Sequence, residues 1–155
     1  MEHIILPVTH TDQETDSVGT FRIEPLFPGY ASTLGNALRR VLLSSLEGAA
    51  VDYVQIEGVD HEFSNVPHVK EDVVQIILNL KMLNFKLNAD SAELHLEAKG
   101  AGVVTAKAFN NNSDCQVVNT DQVIATLSAG AKFNLRIGVK RGHGYEPIEK
   151  KLDRE

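Results

Sequence analysis

The spacing of apolar positions changes part-way along the chain, from helical to alternating. Leu34, Leu38, Val41, Leu42 and Ser45 fall at i, i+4, i+7, i+8 and i+11, which is one face of an α-helix. Ser32 or Thr33 can accept the free N–H groups of its first turn, and Gly48 stands where a left-handed cap would close it. A second helical stretch follows. Pro67 suits its first position, Glu71 and Asp72 lie near its positive end, and Val69, Val73, Ile76, Ile77 and Leu80 form its buried face. Before the first helix, Val18 to Leu26 reads as a strand preceded by a mobile tail, residues 1–16, that begins with a short apolar patch and then turns acidic and polar. Between the helices, Val54 and Ile56 alternate with Gln55 and Glu57.

From Leu83 onward the period is two. Asn84–Leu87 and Ala92–Glu97 read as paired strands across Asn88, Ala89 and Asp90. Gly100 and Gly102 read as a hairpin turn before VVTAKAF, and short strands follow at QVV and VIATL. Lys132 to Lys140 is the clearest strand, with Phe133, Leu135, Ile137 and Val139 on one face. The charged end IEKKLDRE shows no buried face. Two helices among many short strands, without a regular βαβ series, predict an α+β fold.

The first helix carries more than a core stripe. Leu43 widens the apolar face, and Arg39 and Arg40 sit side by side, about 100° apart around the axis. At least one guanidinium must therefore point away from the leucines. Gly35 costs helix stability, roughly 1 kcal/mol relative to alanine, so a close packing partner is expected there. Two readings fit the spacing: an ordinary amphipathic helix with a solvated arginine pair, or a helix made to be covered by another chain.

Composition narrows the classes. The 155 residues suffice for one domain or two small lobes, and 43% hydrophobic content suits a globular chain. No apolar run approaches the ~20 residues that span a bilayer, and the N-terminus lacks a basic n-region, so a cytoplasmic location without membrane association is expected. A net charge of −6 argues against a general nucleic-acid-binding surface. The single cysteine, Cys115, cannot form an internal disulfide and reads as a small buried or half-buried hydrophobe in a reducing compartment.

Catalytic patterns are weak. Gly100-Ala-Gly102 lacks a third glycine and a following helix, and no histidine stands at zinc-like spacing from a cysteine or second histidine. His61 between Asp60 and Glu62 reads as a polar loop, and Ser44-Ser45 has no elbow glycines. No catalytic, cofactor-binding or metal-binding residue and no cofactor is expected.

Three stretches carry a resemblance. GYASTLGNALRRVLLSSLEGAAV, Val54 to Lys81 (VQIEGVDHEFSNVPHVKEDVVQIILNLK) and Asn134 to Pro147 (NLRIGVKRGHGYEP) together resemble the amino-terminal domain of the bacterial RNA polymerase alpha subunit, in that family's order. The resemblance implies a two-lobed α+β chain: residues 1–47 a dimerisation lobe, 48–150 an inserted and mostly antiparallel lobe, 151–155 a charged tail. It implies an assembly scaffold, the non-catalytic subunit of a nucleotidyl-transferring enzyme. Two copies would pair through Leu34, Leu38, Val41 and Leu42, and the beta and beta-prime subunits would dock on the pair. Arg40 matches the family's beta-contacting arginine, with Asn36 and Arg39 in the same motif, and Lys81 matches a position linked to beta-prime.

Relative to the family, the chain stops before further strands and a long helix. It therefore reads as an N-terminal fragment whose dimerisation lobe is incomplete and whose homodimer is weakened or absent. No direct DNA contact is expected of this region. Two alternatives remain: a free-standing α+β interaction module without polymerase partners, and a small enzyme using His61, Glu62 or Cys115.

Overall fold

A computed structural model of the chain describes residues 6–15 and 18–147. The apolar patch within residues 1–5 and the charged stretch 148–155 lie outside the described residues. The chain divides into two compact units, Met1–Leu46 and Glu47–Glu155.

The first unit holds β1 (Val8–Glu14), β2 (Gly19–Glu24) and α1 (Tyr30–Ser45). β1 and β2 form an antiparallel pair with Val8 opposite Glu24, and Arg22 reaches Asp12 across it at 3.1 Å. Much of the stretch expected as a polar tail is thus a strand. All seven β1 residues are exposed, so no apolar alternation marks them in the sequence.

The helix α1 also begins earlier than expected. Pro28 and Gly29 lie in a turn in which the Tyr30 N–H donates to the Phe27 carbonyl at 3.0 Å, and Gly29 has φ 83°. No side chain caps the helix, so neither Ser32 nor Thr33 serves as its cap. Its far end is corrected too. Leu46 leaves the helix in extended conformation, and Gly48 lies inside the next strand opposite Gly142. A glycine allows a left-handed cap but does not compel one.

The second unit runs β3 (Glu47–Ile56), α2 (Val73–Lys81), β4 (Phe85–Leu87), β5 (Ser91–Lys99), β6 (Gly102–Thr105), β7 (Cys115–Val117), β8 (Val123–Leu127) and β9 (Lys132–His143). The main sheet has the order β3-β9-β5, and β4-β7 and β6-β8 form two further pairs. Every pairing of named strands is antiparallel, and with two α-helices among the described residues the fold is α+β. β9 is the spine: Ile137 lies between Val54 of β3 and Leu94 of β5. Its inward residues Phe133, Leu135, Ile137 and Val139 are all buried, as their alternation predicts. No described helix is long and apolar enough to cross a membrane.

Three local readings are corrected in this unit. First, α2 starts at Val73 and not at Pro67. Asp72 is its cap, accepting from the Gln75 N–H at 2.7 Å. Pro67 instead occupies a turn closed by the Val69 N–H on the Val66 carbonyl, with His68 at φ 62°. Val69 then bridges to Leu127, and the Glu71 carboxylate accepts from the Thr126 N–H at 2.6 Å and its hydroxyl at 2.8 Å. Pairing with β8 holds this segment out of the helix.

Second, β4 and β5 do not pair with each other. β4 pairs with β7 and β5 with β9. The Arg141 guanidinium donates to the carbonyls of Leu87 and Ala89, tying the 88–90 connection to the end of β9. Third, Gly100 and Gly102, at φ 86° and 157°, turn the chain, but β6 leaves for β8 and makes no hairpin with β5.

One close approach explains a glycine. The Tyr53 ring lies across its β9 partner Gly138, where a Cβ would come within 2.1 Å of the ring. The register step between Val51 and Tyr53 accompanies this crossing, and the Tyr53 hydroxyl donates to the Glu93 carboxylate on β5.

Cys115, the first residue of β7, is fully buried, and burial pushes its thiol pKa up. The folded chain holds that proton more tightly than the unfolded chain does. Its contribution to stability is therefore complete below the ordinary thiol range and is lost as pH rises through it. A thiol-reactive disulfide reagent at pH 8 should modify native protein at least about 100-fold more slowly than urea-unfolded protein, because attack needs an exposed thiolate. Equal rates would show that Cys115 is open to solvent.

Candidate functional site

The site builds from α1. Tyr30, Leu38, Val41, Leu42, Leu43 and Leu46 are all exposed, Leu34 is half-buried, and no residue of the helix is buried. An ordinary amphipathic helix sets its apolar stripe against its own core. This one does not, so the first of the two spacing-based readings is incomplete. Gly35 has open space where its Cβ would be, and nothing within the described chain accounts for a glycine there.

Arg39 and Arg40 are exposed on the same helix, as is Asn36. Among the described residues, neither guanidinium makes a hydrogen bond or ion pair. The backbone around them is firmly set, with the Ser44 hydroxyl donating to the Arg40 carbonyl at 2.7 Å. Two free planar cations thus stand on a rigid rod beside uncovered leucines. Such a surface can take a carboxylate or carbonyl fork together with apolar side chains.

Lys81 lies in the last turn of α2 and is exposed. The described core covers the other side of that helix through Val73, Ile76 and Leu80, while Ile77 is half-buried. Val74, Leu78 and Met82 are exposed. Sequence reading missed these three as a feature, although their i, i+4, i+8 spacing was available to find them.

The catalytic alternative finds no constellation. Cys115 has no exposed surface, whereas His61 and Glu62 are exposed in a loop where the His61 Nδ1 sits 3.2 Å from the Ser64 hydroxyl. Such residues do not share an open pocket. Among the described residues, no group of three or more His, Cys, Asp or Glu side chains could hold a metal ion.

The outer face of the main sheet forms a cleft of about 410 Å³ lined by Gln55, Glu57, His95, Glu97, Asn134 and Arg136, among others. Its charges largely answer one another along the surface. Glu93 lies 3.6 Å from His95 and 3.9 Å from Arg136, and Glu97 pairs with Lys99 at 2.6 Å. The bond to Glu93 raises the Tyr53 pKa, and the Lys99 ammonium lowers that of Glu97. This is a solvated, mutually neutralising face.

Residues 54–155 match the family described as the RNA polymerase Rpb3/RpoA insert domain. Over 151 residues, 97% of the chain, the sequence is 48% identical to the DNA-directed RNA polymerase subunit alpha of Carboxydothermus hydrogenoformans. The chain covers 48% of that protein and so spans about half the length of this relative.

Proposed function

The chain belongs to the bacterial RNA polymerase alpha-subunit family, and from that premise we propose that it is an assembly scaffold for transcription: it recruits the beta and beta-prime subunits and catalyses nothing itself. The observation that carries the reading is the uncovered leucine face of α1 beside two unpaired guanidinium groups.

In this reading Leu34, Leu38, Val41 and Leu42 face the same helix of a second copy. A two-fold contact of this kind uses one patch twice, so a single helix supplies both halves. Burying one leucine contributes about 1.5–3 kcal/mol, and several together offset the cost of association. Arg40, with Arg39 and Asn36, takes the beta subunit, because a guanidinium fork on a rigid helix recognises planar acceptors with little loss of side-chain freedom. Lys81 takes beta-prime. The two copies are chemically identical but meet different large subunits, so Arg40 matters in one copy and is idle in the other.

The division of the chain after Leu46 supports reading residues 1–47 as the dimerisation lobe and 48–150 as the insert. The assembly acts in the cytoplasm, and this region makes no DNA contact of its own.

Gel filtration with purified beta subunit tests the proposal. Co-elution is expected. If the chain never co-elutes with beta, the scaffold reading fails and a free-standing interaction module takes its place.

A further inference from the structure

Every buried core residue of the described chain lies between Ile56 and Val139, in the second unit. Among the described residues of the first unit none is buried: Ile23, Leu26 and Leu34 are half-buried and the rest are exposed. Its elements must therefore hold themselves, and each is of a kind that does so poorly. β1 and β2 form a sheet of two strands, and an isolated hairpin is marginal in water. α1 has 16 residues, no side-chain cap, no acid in its first turn and no base in its last. Helices near that length are marginal alone, and Gly35 weakens this one further. While formed, the rod is regular; what it lacks is anything that keeps it formed.

We propose that α1 opens locally while the second unit stays folded, and that this opening exposes the bonds after Arg39 and Arg40 to proteolysis whenever the helix is uncovered. A bond inside a formed helix is shielded even where its side chains are exposed, so cleavage follows the population of the open form. Hydrolysis adds water across the bond, leaving a carboxylate on the arginine and a new amine on Arg40 or Val41. The arginines of the second unit are held differently. Arg136 on β9 pairs with Gln55 on one side and His95 on the other, between the buried Leu135 and Ile137. It is cut only when the main sheet comes apart. The consequence is regulatory: a chain with α1 uncovered is cut there, and a covered one is spared. The inference stands apart from the assembly reading, because it concerns the helix before anything covers it.

Limited trypsin digestion followed by mass spectrometry tests it, on the whole chain and on Gly35→Ala, over a dilution series. Cleavage after Arg39 and Arg40 should run at least about 10-fold faster than cleavage after Arg136. Gly35 has open space for a Cβ, so Gly35→Ala should slow the α1 cuts about 5-fold and leave the Arg136 cut unchanged. That selectivity separates local opening from mere side-chain exposure, which the variant does not alter. Cuts in α1 that are no faster than the Arg136 cut at every dilution overturn the proposal. So do α1 cuts that Gly35→Ala leaves at the wild-type rate. Protection of α1 that vanishes on dilution supports it, with a second copy as the cover.

Discussion

Arg40→Ala is expected to leave the chain folded and to remove beta recruitment. The side chain is exposed and unpaired, so no internal contact is lost. Alanine is the stronger helix former, and the Ser44 hydroxyl bonds the Arg40 backbone carbonyl, which the variant keeps. Circular dichroism and melting temperature should therefore match wild type. At a protein interface, truncating a central arginine costs about 2–4 kcal/mol, or roughly 30- to 1,000-fold in affinity. Pull-down with beta should fall below detection at concentrations where wild type is saturated. Arg40→Lys separates charge from shape: a lysine keeps the cation and loses the planar fork, so only partial recovery is expected. Retention of full beta binding by the alanine variant would remove Arg40 from the docking role.

Phe133→Ala should have the largest effect on stability. Phe133 is 0% exposed and lies on β9, opposite Ala98 of β5. The β3 pairing of β9 ends at Leu135, so Phe133 is paired with β5 alone, and its side chain lies wholly within the core, where its removal leaves a cavity. Removal of a buried phenylalanine costs about 3–5 kcal/mol, a large share of the 5–15 kcal/mol that holds a typical domain. Denaturant unfolding should show the midpoint falling with little change in slope. Val103→Ala, at a 60% exposed site, is the control and should change stability by less than about 0.5 kcal/mol. A Phe133→Ala loss below about 1 kcal/mol would mean that β9 is not the spine of this unit.

The two substitutions mark two kinds of legibility. Phe133 was readable because strict alternation from Lys132 to Lys140 has one physical solution, a strand with one face in the core. The apolar periods of α1 and α2 were readable for the same reason. The arginine pair was visible as residues but not as free groups. Only the folded chain reveals that no carboxylate among the described residues reaches either one.

Errors gathered where a local signal had a distant competitor. Pro67 followed by acidic residues looks like a helix start, yet Glu71 bonds Thr126, 55 positions away, and Asp72 becomes the cap. The alternation at Asn84–Leu87 announced a strand correctly but not its partner, because nearness in sequence lowers the entropy of closing a loop without deciding which edges fit. β1 escaped notice because a strand exposed on both faces carries no hydrophobic alternation.

By itself the sequence determined the fold class, the family, the core face of β9 and the apolar stripes of both helices, since each follows from residue type at fixed spacing. Tertiary structure alone decided which strands pair, where α2 begins, and that the leucines of α1 and the outer ridge of α2 remain in water. Burial and pairing are relations between distant segments. A periodic pattern states which face must be covered; only the packed chain reveals whether its own residues cover it.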